Sequence, residues 1–189
     1  MKTHLLATLL CLCGLTAVAG DAAAADVGAP GTGALSTIAA LDVPRYMGTW
    51  FEIAKFPNWF QRKCAGGTRA DYRLKDEGRV QVINRCQLDN GDLIEAVGTA
   101  RQIGPATSPR LEVRFAPDWL SFLPMVWGDY WVIDLDEDYR LVAVSEPRRE
   151  YLWILARTPK IDASDYNNLL VRLGRQGFDL RRLEVTRQD

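Results

Sequence analysis

The chain has 189 residues, with 23 lysines and arginines against 24 acidic residues, and so offers no basic surface for binding nucleic acid. Its composition, 48% hydrophobic and 25% charged, is typical of a globular protein and excludes a disordered chain or a membrane-spanning bundle. The single histidine, His4, lies near the N-terminus, which excludes Ser-His-Asp and Cys-His catalysis and histidine-ligated metals from the fold. No cofactor and no metal are predicted.

Residues 1–25 predict a secretory signal peptide. A short basic region precedes an apolar run over residues 5–15, and small residues follow. The run is too short to cross a bilayer, which needs about 20 apolar residues. Cleavage fits after Ala19 or after Ala25, and acylation of Cys11 or Cys13 remains an alternative that would anchor the protein. The sequence therefore predicts export, to the periplasm or the outer membrane.

The folded domain is predicted over residues 41–189, after a flexible leader at 26–40 that is rich in glycine, alanine, serine and threonine. From there the apolar residues alternate with period two between short turn segments, which is typical of an antiparallel barrel or sandwich. The predicted strands are 48–56, 67–74, 79–87, 93–103, 111–116, 130–135, 141–145 and 151–157. Hairpins between neighbouring strands favour an all-β, eight-stranded up-and-down antiparallel barrel.

One segment changes to helical spacing. Asp162 is a plausible N-cap, and the apolar side chains of Tyr166, Leu169 and Leu173 fall on one helical face. Residues 178–185 then alternate again. We therefore expect one C-terminal α-helix whose apolar stripe faces the sheet, followed by a short ninth strand.

Two segments of the sequence, one at the first predicted strand and one at the eighth, resemble the lipocalin family. The resemblance is strongest to the bacterial outer-membrane and apolipoprotein D branch of that family. The string LDVPRYMGTWFEIAKFP contains Gly48 and Trp50, and the string YLWILARTP contains Arg157. The resemblance extends over residues 41–185, and its weakest part is the turn at 135–137, where Leu-Asp-Glu replaces Thr-Asp-Tyr.

A physical reason supports the resemblance at its anchor residues. A barrel that is open at one end must be closed at the other, and Trp50 covered by the guanidinium of Arg157 makes such a plug together with Gly48. A cation–π contact of this kind contributes about 0.5–2 kcal/mol. Because side chains two residues apart share a strand face, Tyr151 and Trp153 should then point into the barrel with Arg157.

The resemblance also implies which side chains of the other strands face the lumen. The predicted ligand-binding residues from those strands are Ala70, Tyr72, Ala96, Val113, Phe115, Tyr130, Val132 and Ala143. Small side chains among them leave room, and aromatic ones supply apolar walls with hydroxyl groups, which suits a hydrophobic guest with a polar end. A solid core made of the same residues is the alternative.

Two cysteines lie inside the predicted domain. If the second and third strands pair, Cys64 lies close to Cys86, and an exported protein favours a disulfide between them. The alternative is a free Cys64 thiolate acting as the nucleophile of a lipocalin-fold isomerase. A further alternative is an enzyme on the same barrel that uses two carboxylates, such as Glu52 and Asp134 near the barrel lining, as an acid–base pair.

The predicted function is lipid binding without catalysis: storage or transport of fatty acids or lysophospholipids for membrane maintenance. Two loops at the expected barrel mouth are unusually apolar. One follows the first strand and contains Phe56, Trp59 and Phe60, and the other follows the fifth strand and covers residues 119–127. Such loops favour peripheral contact with a membrane surface. Two alternatives are that these loops fold inward and cap the cavity, or that they are buried in a homodimer interface.

Overall fold

Eight antiparallel strands close into a barrel in a computed structural model, which describes residues 33–188. The strands are β1 Gly48–Lys55, β2 Gly66–Leu74, β3 Val80–Gln87, β4 Leu93–Gln102, β5 Arg110–Arg114, β6 Gly128–Leu135, β7 Leu141–Ser145 and β8 Leu152–Ala156. Each strand pairs with its neighbour in sequence, and β1 pairs with both β8 and β2, which closes the sheet. The predicted up-and-down barrel is confirmed; the predicted signal peptide lies outside the described residues.

Two separate apolar cores result from the alternation of side chains along these strands. The inner core collects one face of the strands around the fully buried Trp50 and Val132. The outer core lies between the other face of β1, β6, β7 and β8 and helix α2, Ala163–Arg175. The lumen is therefore bounded by one set of residues and the helix is held by another.

Helix α2 forms as the sequence predicts. Asp162 caps it by accepting a hydrogen bond from the Ser164 N–H (2.7 Å), and Leu169 and Leu173 are fully buried against the sheet. None of the helices within residues 33–188 has the length and hydropathy needed to cross a membrane.

The C-terminal segment pairs over fewer residues than predicted. Strand pairing with β1 is limited to β9, Glu184–Val185, because Phe178 turns into the outer core, 6.2 Å from the Phe56 ring, and a 3-10 turn follows over Leu180–Arg182. Beyond β9, the Thr186 N–H donates to Ile53 O (2.9 Å), and Arg187 O accepts from the Gly67 N–H (2.7 Å). This segment therefore fills the gap where β1 and β2 separate near the mouth.

The N-terminal contacts begin earlier than the predicted domain start. Leu35 is 4% exposed in the outer core, and the Ile38 N–H donates to Val132 O (3.1 Å). A short helix that the sequence analysis missed, α1 Val43–Tyr46, follows; it is capped by Asp42 and has proline in its first turn. The part of the leader from residue 33 is thus packed on the barrel.

Candidate ligand-binding site

The closed end of the barrel is sealed by Trp50 and Arg157. The Arg157 guanidinium lies 3.9 Å from the centroid of the Trp50 ring, and Trp50 is 0% exposed. The guanidinium also donates to three carbonyl groups: Tyr139 O (3.1 Å), Thr49 O (3.1 Å) and Arg45 O (2.8 Å). Because those carbonyls belong to β1, the β6–β7 turn and α1, one side chain joins three segments across the barrel floor.

Gly48 belongs to the same plug for two reasons. Its φ is +100°, a backbone conformation that glycine adopts without strain. A Cβ at this position would also lie 3.2 Å from Arg157 Nη1. The absence of a side chain therefore lets the guanidinium reach over Trp50.

The inner wall contains most of the predicted lining residues. Tyr72 and Ala70 are buried in the inner core with Val132, and Val113, Tyr130 and Trp153 pack against it while partly exposed. Ala96 lies on the same face, because Ala70 pairs with Asn84 and Asn84 pairs with Ala96 across β2, β3 and β4.

The upper half of this inner face is not filled. Ala96 is exposed and Asn84 is partly exposed, although Ala70, in the same cross-strand row, is only 7% exposed. Nearer the closed end, Val80 and Ala100 are buried at 3% and 5%. The barrel is therefore solid near the plug and open above it, which is the shape of a binding cavity rather than of a complete core.

The floor of the open part carries three tyrosine hydroxyl groups. Tyr46 Oη lies 2.7 Å from Tyr130 Oη, which lies 3.0 Å from Tyr72 Oη. Burial raises the pKa of Tyr72 to about 12 and the pKa values of Tyr46 and Tyr130 well above the usual value. These groups are neutral hydrogen-bonding phenols at physiological pH. Sequence reasoning missed Tyr46, which precedes the first strand and has no strand pattern.

An aromatic cluster lies at the mouth. The Tyr151 and Trp153 rings are nearly parallel at 5.8 Å, which confirms that they share a face, and Phe60 from the first loop lies 5.7 Å from Tyr151 and 6.1 Å from Trp153. The Trp153 indole N–H donates to Gln61 Oε1 (3.0 Å). Part of the first loop therefore folds across the mouth.

Glu52 is buried below this loop, on the inner face of β1. Its carboxylate accepts hydrogen bonds from Gln61 Nε2 (2.6 Å) and Thr186 Oγ1 (2.6 Å). An indole N–H can only donate, so the Trp153 contact orients the Gln61 amide with its NH₂ group toward Glu52. Burial raises the pKa of Glu52, and the two hydrogen bonds partly oppose this effect. The network joins β1, the mouth loop and the C-terminal segment.

A bulge in β6 places Asp134 and Ala143, both predicted near the barrel lining, on the outer face. The β6–β7 register shifts between Val132 and Asp134, so that Ile133 and Asp134 both face outward. Ala143 pairs with Asp134 and is buried in the outer core; it does not line the lumen, contrary to the prediction. The inner positions of β7 are Val142 and Val144.

The bulge also bears on the carboxylate-enzyme hypothesis. Asp134 forms an ion pair with Arg172 of α2 (2.7 Å) outside the barrel, whereas Glu52 lies inside it. The two carboxylates therefore face opposite sides of the sheet and do not form an acid–base pair.

Phe115 borders a groove rather than lying among the inner-core residues. It follows the end of β5, is 44% exposed, and its ring lies against the backbone of Gly98. Outward-facing side chains of β3 and β4, among them Gln81 and Thr99, line the same groove. The assignment of Phe115 to the ligand stays a prediction.

The Cys64–Cys86 disulfide is confirmed. The two Cα atoms lie 5.5 Å apart and the sulfur atoms are bonded. The bond ties the loop after β1 to the end of β3. It also leaves Cys64 without the thiolate that the isomerase hypothesis requires, so that hypothesis is not supported.

The mouth loops expose large apolar side chains, although not all of those predicted. Exposure is 69% for Trp59, 72% for Trp119, 74% for Phe122 and 86% for Met125. In contrast, Phe56 is 1% exposed in the outer core. Trp127 is also partly covered: Arg101 stacks over its ring at 4.1 Å, and its indole N–H donates to Ser121 O (2.9 Å).

A closed antiparallel barrel, plugged at one end by an arginine-covered tryptophan, open at the other and flanked by one helix, defines a class of proteins that enclose small molecules. A family description, lipocalin-like domain, matches residues 41–188. The chain belongs to the lipocalin family.

Similar proteins extend this assignment. Temperature-induced lipocalin-1 of Arabidopsis thaliana is 38% identical over 82% of this chain and 83% of its own. Outer membrane lipoprotein Blc of Escherichia coli (strain K12) is 40% identical over 74% of this chain and 75% of its own. Apolipoprotein D of Macaca fascicularis is 31% identical over 78% and 77% of the two chains.

The fold has a solved counterpart at low sequence identity. Insecticyanin from the tobacco hornworm Manduca sexta superposes with a TM-score of 0.62 at 18% identity, over 84% of this chain and 87% of its own. This likeness supports the barrel architecture alone.

Proposed function

We propose that the chain binds single-chain lipids, fatty acids or lysophospholipids, in the open upper part of the barrel. The observation that carries the proposal is the unfilled inner face, where Ala96 and Asn84 remain accessible above the buried Val80 and Ala100. Names of similar proteins, an outer membrane lipoprotein and an apolipoprotein, support a lipid ligand and a place in the cell envelope. Storage or transport of lipid for membrane maintenance would follow.

Burial of an acyl chain supplies enough energy for this function. Each buried CH₂ contributes about 0.8 kcal/mol, so fourteen methylenes contribute roughly 11 kcal/mol before association costs of about 4 kcal/mol or more. The remainder, at most about 7 kcal/mol, corresponds to a Kd of about 10 μM. Trp153 and Tyr151 provide an aromatic wall where the chain would leave the mouth.

Quenching by brominated fatty acid tests the location of the lipid. Trp153 is partly exposed on the inner face, whereas Trp131 lies outside, beneath Arg110 at 4.4 Å. We expect saturating brominated lipid to quench the wild-type protein and Trp131→Phe equally, and to quench Trp153→Phe much less. Equal quenching of all three proteins would show that the lipid does not enter the barrel at this wall.

We further propose that the mouth loops dock on a membrane surface, so that the lipid passes into the barrel without crossing water. Trp119, Phe122 and Met125 support this proposal, since they lie on one short loop and are each more than 70% exposed. Tryptophan is enriched at membrane interfaces because its ring is apolar and its N–H is polar.

Vesicle cosedimentation tests docking against a matched control. The test variant carries Trp119→Ser, Phe122→Ser and Met125→Ser. The control carries Ile103→Ser, Val171→Ser and Val185→Ser, which remove exposed apolar side chains (41%, 54% and 73%) away from this loop. Docking predicts that only the test variant loses vesicle binding. Equal partitioning of both variants contradicts docking, and a change in oligomeric mass alone would assign the loop to a homodimer.

A further inference from the structure

The three tyrosine hydroxyl groups at the lumen floor form a chain with Tyr130 in the middle. Tyr46 comes from α1, Tyr72 from β2 and Tyr130 from β6, so three distant segments bring these groups together. The Tyr46 and Tyr72 rings are stacked at 5.6 Å and are 2% and 7% exposed, whereas Tyr130 remains partly exposed to the lumen. Tyr46 and Tyr72 are therefore the buried members of the cluster, and Tyr130 is the accessible one.

The cluster carries one more O–H proton than it has internal hydrogen bonds. Three neutral phenols carry three O–H protons, and the two contacts of 2.7 and 3.0 Å use two of them. Within residues 33–188, these three hydroxyl groups have no other hydrogen-bond partner. When Tyr46 and Tyr72 both donate to Tyr130, the remaining O–H proton belongs to Tyr130, the partly exposed member, and phenol lone pairs remain available to a donor.

The electrostatics of the floor disfavour an ionised partner. Among the described residues, the cation nearest the floor is Arg157, which lies against the Trp50 ring and donates to three carbonyls. Arg45 stacks on Tyr139 outside the barrel at 4.1 Å, and the outward Asp71 pairs with Arg85. The Arg157 charge lowers the pKa of Tyr46 and Tyr72, but burial outweighs it and both pKa values stay raised. Because Arg157 already donates to three carbonyls, a carboxylate buried at the floor would have no cation paired with it, which would be costly.

We propose that this tyrosine cluster is a head-group subsite that receives a fatty acid carboxyl group in its protonated, neutral form, with the acyl chain running toward the mouth. The free phenol O–H donates to the acid carbonyl oxygen, and the acid O–H donates to a phenol oxygen. A lysophospholipid carries a permanent phosphate charge and would not enter this subsite. The inference rests on the proposed lipid-binding function and gives it an orientation and a preference.

Carbon-13 NMR of carboxyl-labelled palmitic acid bound to the full-length protein tests the subsite. We expect the bound carboxyl resonance to stay at the position of the neutral acid from about pH 6 to about pH 8, where a solvated carboxyl, with a pKa near those of ordinary carboxyl groups, is ionised. Tyr166→Phe, which removes a hydroxyl from α2 outside the barrel, should behave like the wild type. In Tyr46→Phe/Tyr72→Phe/Tyr130→Phe the bound carboxyl should titrate.

The affinity of the wild-type protein gives a second measurement that needs no floor variant. If only the neutral acid binds, the apparent Kd for palmitic acid rises about tenfold per pH unit above the pKa of the free acid, whereas the Kd for its methyl ester stays constant. A bound carboxyl that titrates like the free acid, or a Kd independent of pH, overturns the subsite and leaves lipid binding intact. No bound resonance at all overturns the subsite together with the proposed function.

Discussion

Replacing Arg157 with lysine should destabilise the barrel far more than a change of one surface cation usually does. Lysine keeps the charge but loses the planar group that stacks 3.9 Å from the Trp50 ring centroid and donates to three carbonyls. The lysine side chain is shorter and ends in a single nitrogen, so we expect it to keep one of those hydrogen bonds. Two lost bonds at about 1 kcal/mol each and a weakened cation–π contact of about 0.5–1.5 kcal/mol give an expected loss of about 2–4 kcal/mol.

The chain offers a matched control for this prediction. Arg101 also donates through its guanidinium to an acceptor, Glu112 (2.7 Å), and also stacks over a tryptophan, Trp127, at 4.1 Å. Its side chain is 49% exposed on the outer face of the barrel, where solvent weakens both contacts. We therefore expect Arg101→Lys to cost less than about 1 kcal/mol.

Urea unfolding, followed by far-ultraviolet circular dichroism, measures both variants on one scale. The expected result is a clearly lower midpoint for Arg157→Lys and an m-value equal to that of the wild type, because the same surface is exposed on unfolding. If Arg157→Lys costs no more than Arg101→Lys, the plug does not hold the three segments together and the reasoning is refuted.

Further predictions concern the outer core, the buried carboxyl and the disulfide. Leu169→Ala, at a fully buried position of α2, should lower the free energy of unfolding by about 2–5 kcal/mol, whereas Val171→Ala on its exposed face should change it by less than about 0.5 kcal/mol. The pKa of Glu52 is raised, so the stability that its bound proton contributes is complete below the ordinary carboxyl pKa and is lost as the pH rises through the raised value. Urea midpoints from about pH 4 to about pH 8 should therefore increasingly favour Glu52→Gln over the wild type. A difference between the two midpoints that does not depend on pH would contradict this. Thiol labelling of the unfolded, unreduced protein, with its two N-terminal cysteines replaced by serine, should find no free thiol at Cys64 or Cys86, and their reduction should cost about 3 kcal/mol.

Local patterns in the sequence are sufficient for the strand order and the helix, whereas the plug was predicted through the resemblance to the lipocalin family. Period-two alternation needs only the pleat of a strand, and Asp162 with its following apolar stripe needs only helical geometry. The position of Cys64 near Cys86 follows from one hairpin. These features depend on neighbours that are close in the chain or in the next strand.

The errors come from features that a strand pattern does not encode. The family resemblance implied an inward Ala143, but the bulge between Val132 and Asp134 places Asp134 and its partner Ala143 on the outer face. The Glu52 network depends on Thr186, which is 134 residues away in the sequence. Tyr46 enters the lumen floor from a helix before the first strand, so no alternation could point to it.

Native mass spectrometry of the purified protein, with matched substitutions on the two faces of one strand, tests the central claim most directly. Ala96 is exposed on the inner face of β4, and its neighbour Val97 is 51% exposed on the outer face. A tryptophan at Ala96 would fill the open part of the lumen, whereas a tryptophan at Val97 would point into solvent. The account predicts that the wild type and Val97→Trp each retain one single-chain lipid and that Ala96→Trp retains none. Retention of the lipid by a folded Ala96→Trp, or its loss from Val97→Trp alone, would contradict binding inside the barrel.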